Sequence, residues 1–365
     1  MYQPNPAGRP AILTRRLLPL VVAQGCGGFN DNLVKNALVF LALFQLGEGG
    51  IAFSALAGAL LIAPYILLSA TAGALADRMP KRTLIVRLKV FEIGLMLLAG
   101  LGFLTGSVGL LLGVILGLGI QAALFGPVKY AILPEHLRHD ELIAGNGALE
   151  AATFVTIVLG TVAGGALILL AGGATLVAAL GAAAALLGLL AALGIPPTVA
   201  AAPVTPVEAN LAGASWRCVR DAFAHRPIRL SLLGLSGFWT VGSTIITALP
   251  VVARDTLGGT GGVLTLLLVV FALGVGAGSL LCSRLLRGEI SPRHVPFAAA
   301  GLGILTGAFA LLAAALGPDA PRLVVRSVGQ QDVAGRHDVH QPRHADRRSR
   351  IKGQWVQVAR VDPPP

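Results

Sequence analysis

The sequence predicts an all-α, polytopic membrane protein, and three observations carry that expectation. Of 365 residues, 55% are hydrophobic and only 12% are charged, with a mean hydropathy of +0.78. Too few polar side chains remain to coat a water-facing globule of this length, so lipid is the expected solvent. Next, apolar runs of the roughly 20 residues that a helix needs to cross hydrocarbon follow one another from Leu17 to Leu316. Finally, the basic residues collect in alternate connections between those runs.

Taken in order, the runs predict nine spans, at about 17–44, 51–76, 83–105, 108–126, 144–170, 174–194, 228–252, 262–285 and 295–316. The first follows Arg15 and Arg16 but is too long for the apolar region of a signal peptide. On one side of the membrane lie Arg9, Arg15 and Arg16; Arg78, Lys81, Arg82, Arg87 and Lys89; Lys129 and Arg138; Arg217, Arg220, Arg226 and Arg229; and Arg284, Arg287 and Arg293. Only Arg254 lies on the other. About seventeen against one places the amino terminus and the even-numbered loops in the cytoplasm, because translocating basic residues beside a span is disfavoured.

The formal charge of +11 therefore reads as a topology signal and not as a nucleic-acid groove. Cys26, Cys218 and Cys282 are odd in number, far apart and inside or beside apolar runs, which suits small buried hydrophobes better than a disulfide or zinc framework.

The connection from Pro196 to about Pro227 is Pro/Ala-rich and then amphipathic through Trp216, Val219 and Phe223. It divides the chain into an expected six-helix half over 1–195, a cytoplasmic linker over 196–227 and part of a second half, about three helices, over 228–316. From Gly317 to Pro365 the composition changes abruptly to Arg, His, Asp, Gln and Val. That tail is expected to be disordered and aberrant, a frameshifted or mis-joined end. Its His337, His340 and His344 imitate a metal cluster, but an Arg/His-rich reading frame explains them equally well, and no metal or other cofactor is expected.

Polar residues inside the apolar runs are the candidates for chemistry. In the first span Asn30, Asp31, Asn32 and Lys35 stand near the middle of the run. A carboxylate there costs about 2.5 to 3.5 kcal/mol on insertion scales, so Asp31 is expected to face a cavity or a partner. Asp31 and Lys35 are four residues apart and can pair with each other; otherwise Asp31 reads a headgroup or a coupling cation. Asn146 and Glu150 make a second such spacing near the start of the fifth span, as substrate contacts or as support for a gate.

After the second span the chain reads Gly73-Ala-Leu-Ala-Asp77-Arg78-Met-Pro80-Lys81-Arg82. Here Gly73 would admit a neighbouring helix, Asp77 would accept from the first-turn amides of the other half and so latch one conformation, and Arg78, Lys81 and Arg82 would hold the loop at the anionic leaflet. This segment resembles the loop signature of the major facilitator superfamily, with Pro80 where the family usually has Gly. A degenerate echo, Gly276-Ala-Gly278 to Arg284-Leu-Leu-Arg287, follows the eighth span without a counterpart of Asp77.

Three further stretches, Gly28 to Leu38, Phe125 to Leu137 and Glu141 to Glu150, resemble the superfamily's lysophospholipid transporter branch over residues 17 to about 316. The resemblance implies a major facilitator fold in a bacterial inner membrane. It also implies inward movement of lysophospholipids such as lysophosphatidylethanolamine, and a cytoplasmic acyltransferase/acyl-ACP synthetase partner. A zwitterionic headgroup needs an anion for its amine and a cation for its phosphate, which Asp31 with Lys35 or Lys129 can supply.

Catalysis is not expected. The acyltransferase of fused family members needs a His followed five positions on by Asp, and none of the seven histidines has one; His136 comes nearest, with Glu141. Nor is there a phosphate-cradling Gly-Lys-Ser/Thr loop. Two other readings stay open from the residues: a major facilitator transporter of another small solute or drug, and an inactive truncated remnant or scaffold.

Overall fold

The computed structural model describes residues 15–46, 49–202, 210–253, 261–286 and 291–316. Among them no residue is in a strand, and nine helices of 21 to 30 residues stand where nine spans are expected. They are α1 (Leu18–Leu46), α2 (Gly49–Arg78), α3 (Lys81–Thr105), α4 (Val108–Ala131), α6 (Leu142–Ile168), α7 (Gly173–Leu193), α9 (Arg226–Val251), α10 (Gly261–Leu286) and α11 (Val295–Leu316). Two short helices complete the set: α5 (Leu133–His136) in the fourth connection and α8 (Leu211–Ala224) in the linker. By length and apolar content alone, six stretches are fit to cross a membrane: Ala55–Arg78, Val108–His136, His139–Ile168, Gly173–Leu193, Leu266–Leu286 and Pro292–Leu312. Helices α1 and α3 are as long but carry charged side chains along their length.

Helix α4 outlasts its expected end at 126. Pro127 lies inside it, and the lost backbone donor does not stop the helix before Ala131. Lys129 and Tyr130 are thereby placed on the last turn of a spanning helix instead of in a loop.

In the first half α1 is central, packing on α6, α7 and α2, while α2 packs on α4 and α3 on both α4 and α7. Close approach to α6 is written in glycine. A Cβ at Gly160 would overlap the Phe29 carbonyl oxygen, and one at Gly164 the Leu33 carbonyl oxygen. Without a hydrophobic drive between helices in lipid, such small-residue contacts are what dispersion forces have to work with. Two apolar clusters fill the bundle at different heights. One holds Leu20, Leu84, Leu88, Phe125 and Val128. The other holds Leu33, Leu95, Met96, Ile115 and Leu118. Between the two clusters stand the buried polar side chains of Asn30 on α1, Lys89 and Glu92 on α3, and Gln121 on α4.

Beyond the linker, α10 packs along α6, with Gly147 against the Ser279 carbonyl. Phe154 of α6 stacks on Trp239 of α9 at 5.7 Å and meets Phe271 of α10 edge-on at 6.2 Å. Helix α11 exposes its apolar side chains along its described length. The tail expected over 317–365, its three histidines, Arg254 and Arg287 lie outside the described residues.

Candidate functional site

Between the two apolar clusters lies a polar layer built on α1, α3 and α4. Glu92 is at its centre. One of its oxygens, Oε1, accepts from Asn30 Nδ2 at 2.8 Å. The other, Oε2, accepts from Lys89 Nζ at 2.6 Å and from Gln121 Nε2 at 3.1 Å. The Lys89 and Glu92 side chains are each 1% exposed. Lys89 Nζ also stands 5.2 Å from the centre of the Phe125 ring, so the ammonium is satisfied by a carboxylate and a π face together. Glycines make the room: a Cβ on Gly27 would come within 2.9 Å of that nitrogen, and one on Gly188 within 3.5 Å of Lys89 Cδ.

Lys89 therefore corrects the loop tally, because it is buried in α3 and contributes nothing to the orientation signal. Sequence reasoning also passed over Glu92 and Gln121. Two opposite charges three residues apart inside an apolar run were the available sign.

Asp31 lies one residue, about 100° of helix, from Asn30. Its Oδ1 is buried with no hydrogen-bond partner among the described residues. The alternative of an Asp31–Lys35 ion pair is not realised: Lys35 Nζ donates to Asn32 Oδ1 at 3.1 Å. Asn32 Nδ2 donates to the Gly28 carbonyl, and Asn36 Nδ2 to Thr161 Oγ1 on α6. Asp31 feels the charges of Glu92, Lys89, Lys35 and Lys129.

Lys129 lies 4.8 Å from the centre of the Tyr130 ring and feels both Glu150 and Asp31. Glu150 accepts from the Tyr130 hydroxyl. Asn146 does not join it, donating instead to the Leu142 carbonyl on an exposed turn. Tyr65 of α2, another residue the sequence did not single out, is coupled electrostatically to Asp31 and Tyr130. The structure thus draws Asp31, Lys35 and Lys129 into one field, ties Glu150 to its edge and leaves Asn146 outside.

The expected latch is arranged differently from the expectation. No atom of another described helix comes within 4 Å of where a Gly73 Cβ would stand, so this glycine admits no neighbour here. Asp77 is exposed, and its backbone carbonyl accepts from Ala202 N at 2.9 Å. Of the three cations only Arg78 is turned outward. Lys81, buried, pairs with Glu135 at 2.5 Å. Arg82 donates to the Leu193 carbonyl at 2.9 Å, a cation at the carboxyl end of α7, and its backbone N–H donates to Thr198 Oγ1. The loop is bonded within the first half and to the start of the linker.

With this geometry established, the chain can be set beside known proteins. The family model described as Major Facilitator Superfamily matches residues 20–325. Lysophospholipid transporter LplT of Salmonella gallinarum is 32% identical over 331 residues, 87% of this chain and 78% of the relative. The proteins of that name from Salmonella heidelberg and Salmonella paratyphi B are 32% and 31% identical over the same length. A helical membrane architecture, the span-two loop motif and identity along most of the chain converge, and the chain belongs to the Major Facilitator Superfamily, in its lysophospholipid transporter branch.

Proposed function

We propose that this transporter carries lysophospholipids such as lysophosphatidylethanolamine inward across the bacterial inner membrane, by alternating access, with its amino terminus in the cytoplasm. Residues 1–195 and 228–316 act as the two moving parts, joined by the cytoplasmic linker 196–227. Asp31 receives the ammonium of the headgroup, while Lys35 and Lys129 receive the phosphate. The acyl chain lies against apolar wall and lipid, where few further polar contacts are needed. A cytoplasmic acyltransferase/acyl-ACP synthetase would consume the lipid delivered. The relatives are lysophospholipid transporters by name, which supports the substrate class.

The observation that carries the site assignment is the buried Asp31 Oδ1, which has no hydrogen-bond donor among the described residues although three lysines share its field. A carboxylate left unmet in a spanning helix is tolerated when a ligand or water meets it in the working cycle. The test is uptake of labelled lysophosphatidylethanolamine into proteoliposomes. Asp31→Asn should reduce uptake by about ten- to a hundred-fold, since a hydrogen bond to a charged group is worth about 1.5–3 kcal/mol, while Asp31→Asn protein reconstitutes in normal amount. Full uptake by that variant would remove Asp31 from the site. Competition by another amphipathic solute, with none by lysolipid, would overturn the substrate.

A further inference from the structure

Helix α1 presents three different faces, and the polar layer explains how they are kept apart. At about 100° per residue, Asn30, Leu33 and Val34 share one face. All three are at most 1% exposed, and Asn30 reaches Glu92 of α3. Asn32 and Asn36 form the second face, where Asn32 Cβ abuts Gly160 and Asn36 donates to Thr161, both on α6. Asp31 and Lys35 are left on the third face, partly exposed.

Glu92 itself is buried and already engaged by protein donors. Its two oxygens take three donors, from Asn30, Lys89 and Gln121, and the layer is sealed above and below by apolar clusters. Apart from the charge that Asp31 feels, its bonded contact with α1 among the described residues is through Asn30. Close packing holds a helix against turning only as tightly as its side chains interlock, whereas a hydrogen bond to a fixed carboxylate adds a directional restraint.

We infer that Lys89, Glu92 and Gln121 are positioning residues that act through Asn30 to fix the rotation of α1, so that Asp31 and Lys35 are both presented on the substrate-facing side. Lys89 sets the carboxylate, Gln121 holds its second oxygen in place, and Asn30 transmits the setting to α1. The significance of the two presented charges rests on the function proposed above; the rotation itself does not.

The test therefore reads rotation directly. In the full-length chain with Cys26, Cys218 and Cys282 replaced by Ala, a single reporter is introduced as Lys35→Cys or Val34→Cys. Each protein is reconstituted and its reaction rate with a water-soluble thiosulfonate is measured. With the layer intact, Lys35→Cys should react faster than Val34→Cys by about ten-fold or more, equivalent to about 1.4 kcal/mol. Adding Asn30→Ala, which cuts the link but keeps Lys89, Glu92 and Gln121 together, should bring the two rates towards equality. So should Lys89→Met with Glu92→Met, if that protein is monodisperse; if it is not, Asn30→Ala alone decides. A rate ratio unchanged by Asn30→Ala, or a parent ratio near one, overturns the inference. Lysolipid uptake is assayed on the parent in which the three cysteines are replaced and Lys35 and Val34 are retained. A collapsed ratio in a chain whose parent carries no lysolipid would keep the positioning role and remove the proposed substrate.

Discussion

Removing both members of the Lys89–Glu92 pair should be less damaging than the two single removals added together. The charges are 2.6 Å apart and shielded from solvent, and at an effective dielectric of about 20 they attract by roughly 6 kcal/mol before desolvation is subtracted. Glu92→Met leaves an ammonium facing Gly27, Gly188 and the Phe125 ring, with no carboxylate in contact. Lys89→Met leaves a buried carboxylate with only two neutral amide donors. Either orphan is expected to cost about 3–5 kcal/mol. In a chain of this size that lowers the melting temperature by about 5–15 °C. With both residues replaced by Met the charges vanish together, and what remains is the loss of the acceptor of the buried Asn30 and Gln121 amides, about 1–3 kcal/mol each, well short of the two single losses added together. Thermal unfolding of the purified protein in detergent, followed by loss of the monodisperse size-exclusion peak, measures all four proteins. A double variant as unstable as the sum of the singles would refute this reasoning, because it would mean that the two residues act as independent spacers.

Two other expectations are cheaper to check. Gly164→Leu should lower the same melting temperature by the equivalent of about 1–3 kcal/mol, because its side chain has to displace the Leu33 backbone; Gly73→Ala should leave it unchanged or raised, since open space surrounds that site. A double-mutant cycle on Lys81→Ala and Glu135→Ala should return a coupling of about 1 kcal/mol, for Glu135 is 31% exposed and its ion pair partly screened. Additive losses would mean that the pair carries no net interaction.

The helices were legible in the sequence because the bilayer demands them: apolar runs from Leu17 to Leu316 have few other ways to satisfy their backbones in lipid. Asp31 was legible for the same reason, as a charge where charge is expensive. What the sequence concealed was partnership. Lys89 looked like one more cation after the second span, and only the crossing of α3 with α1 and α4 puts Asn30 and Gln121 on Glu92. Lys35 looked like the partner of Asp31 by spacing, yet a donor three residues from Asn32 is also within reach of it, and side-chain direction chose Asn32. Gly73 looked like a packing glycine, whereas the close contacts of the first half are made by Gly160 and Gly164.

The ionisable residues gathered between α1, α3, α4 and α6 have a further consequence. Asp31, Glu92 and Glu150 face Lys35, Lys89 and Lys129, so their formal charges cancel. A proton passed among the six leaves that sum unaltered. Moving one elementary charge through the whole field of an energised membrane takes about 2.3 kcal/mol per 100 mV, and a neutral cavity holding a zwitterion offers the field no net charge to move. On the proposed cycle, neither the loaded nor the empty passage is driven by voltage, and the direction of net flow falls to the concentrations of lipid in the two leaflets and to whatever reaction removes it.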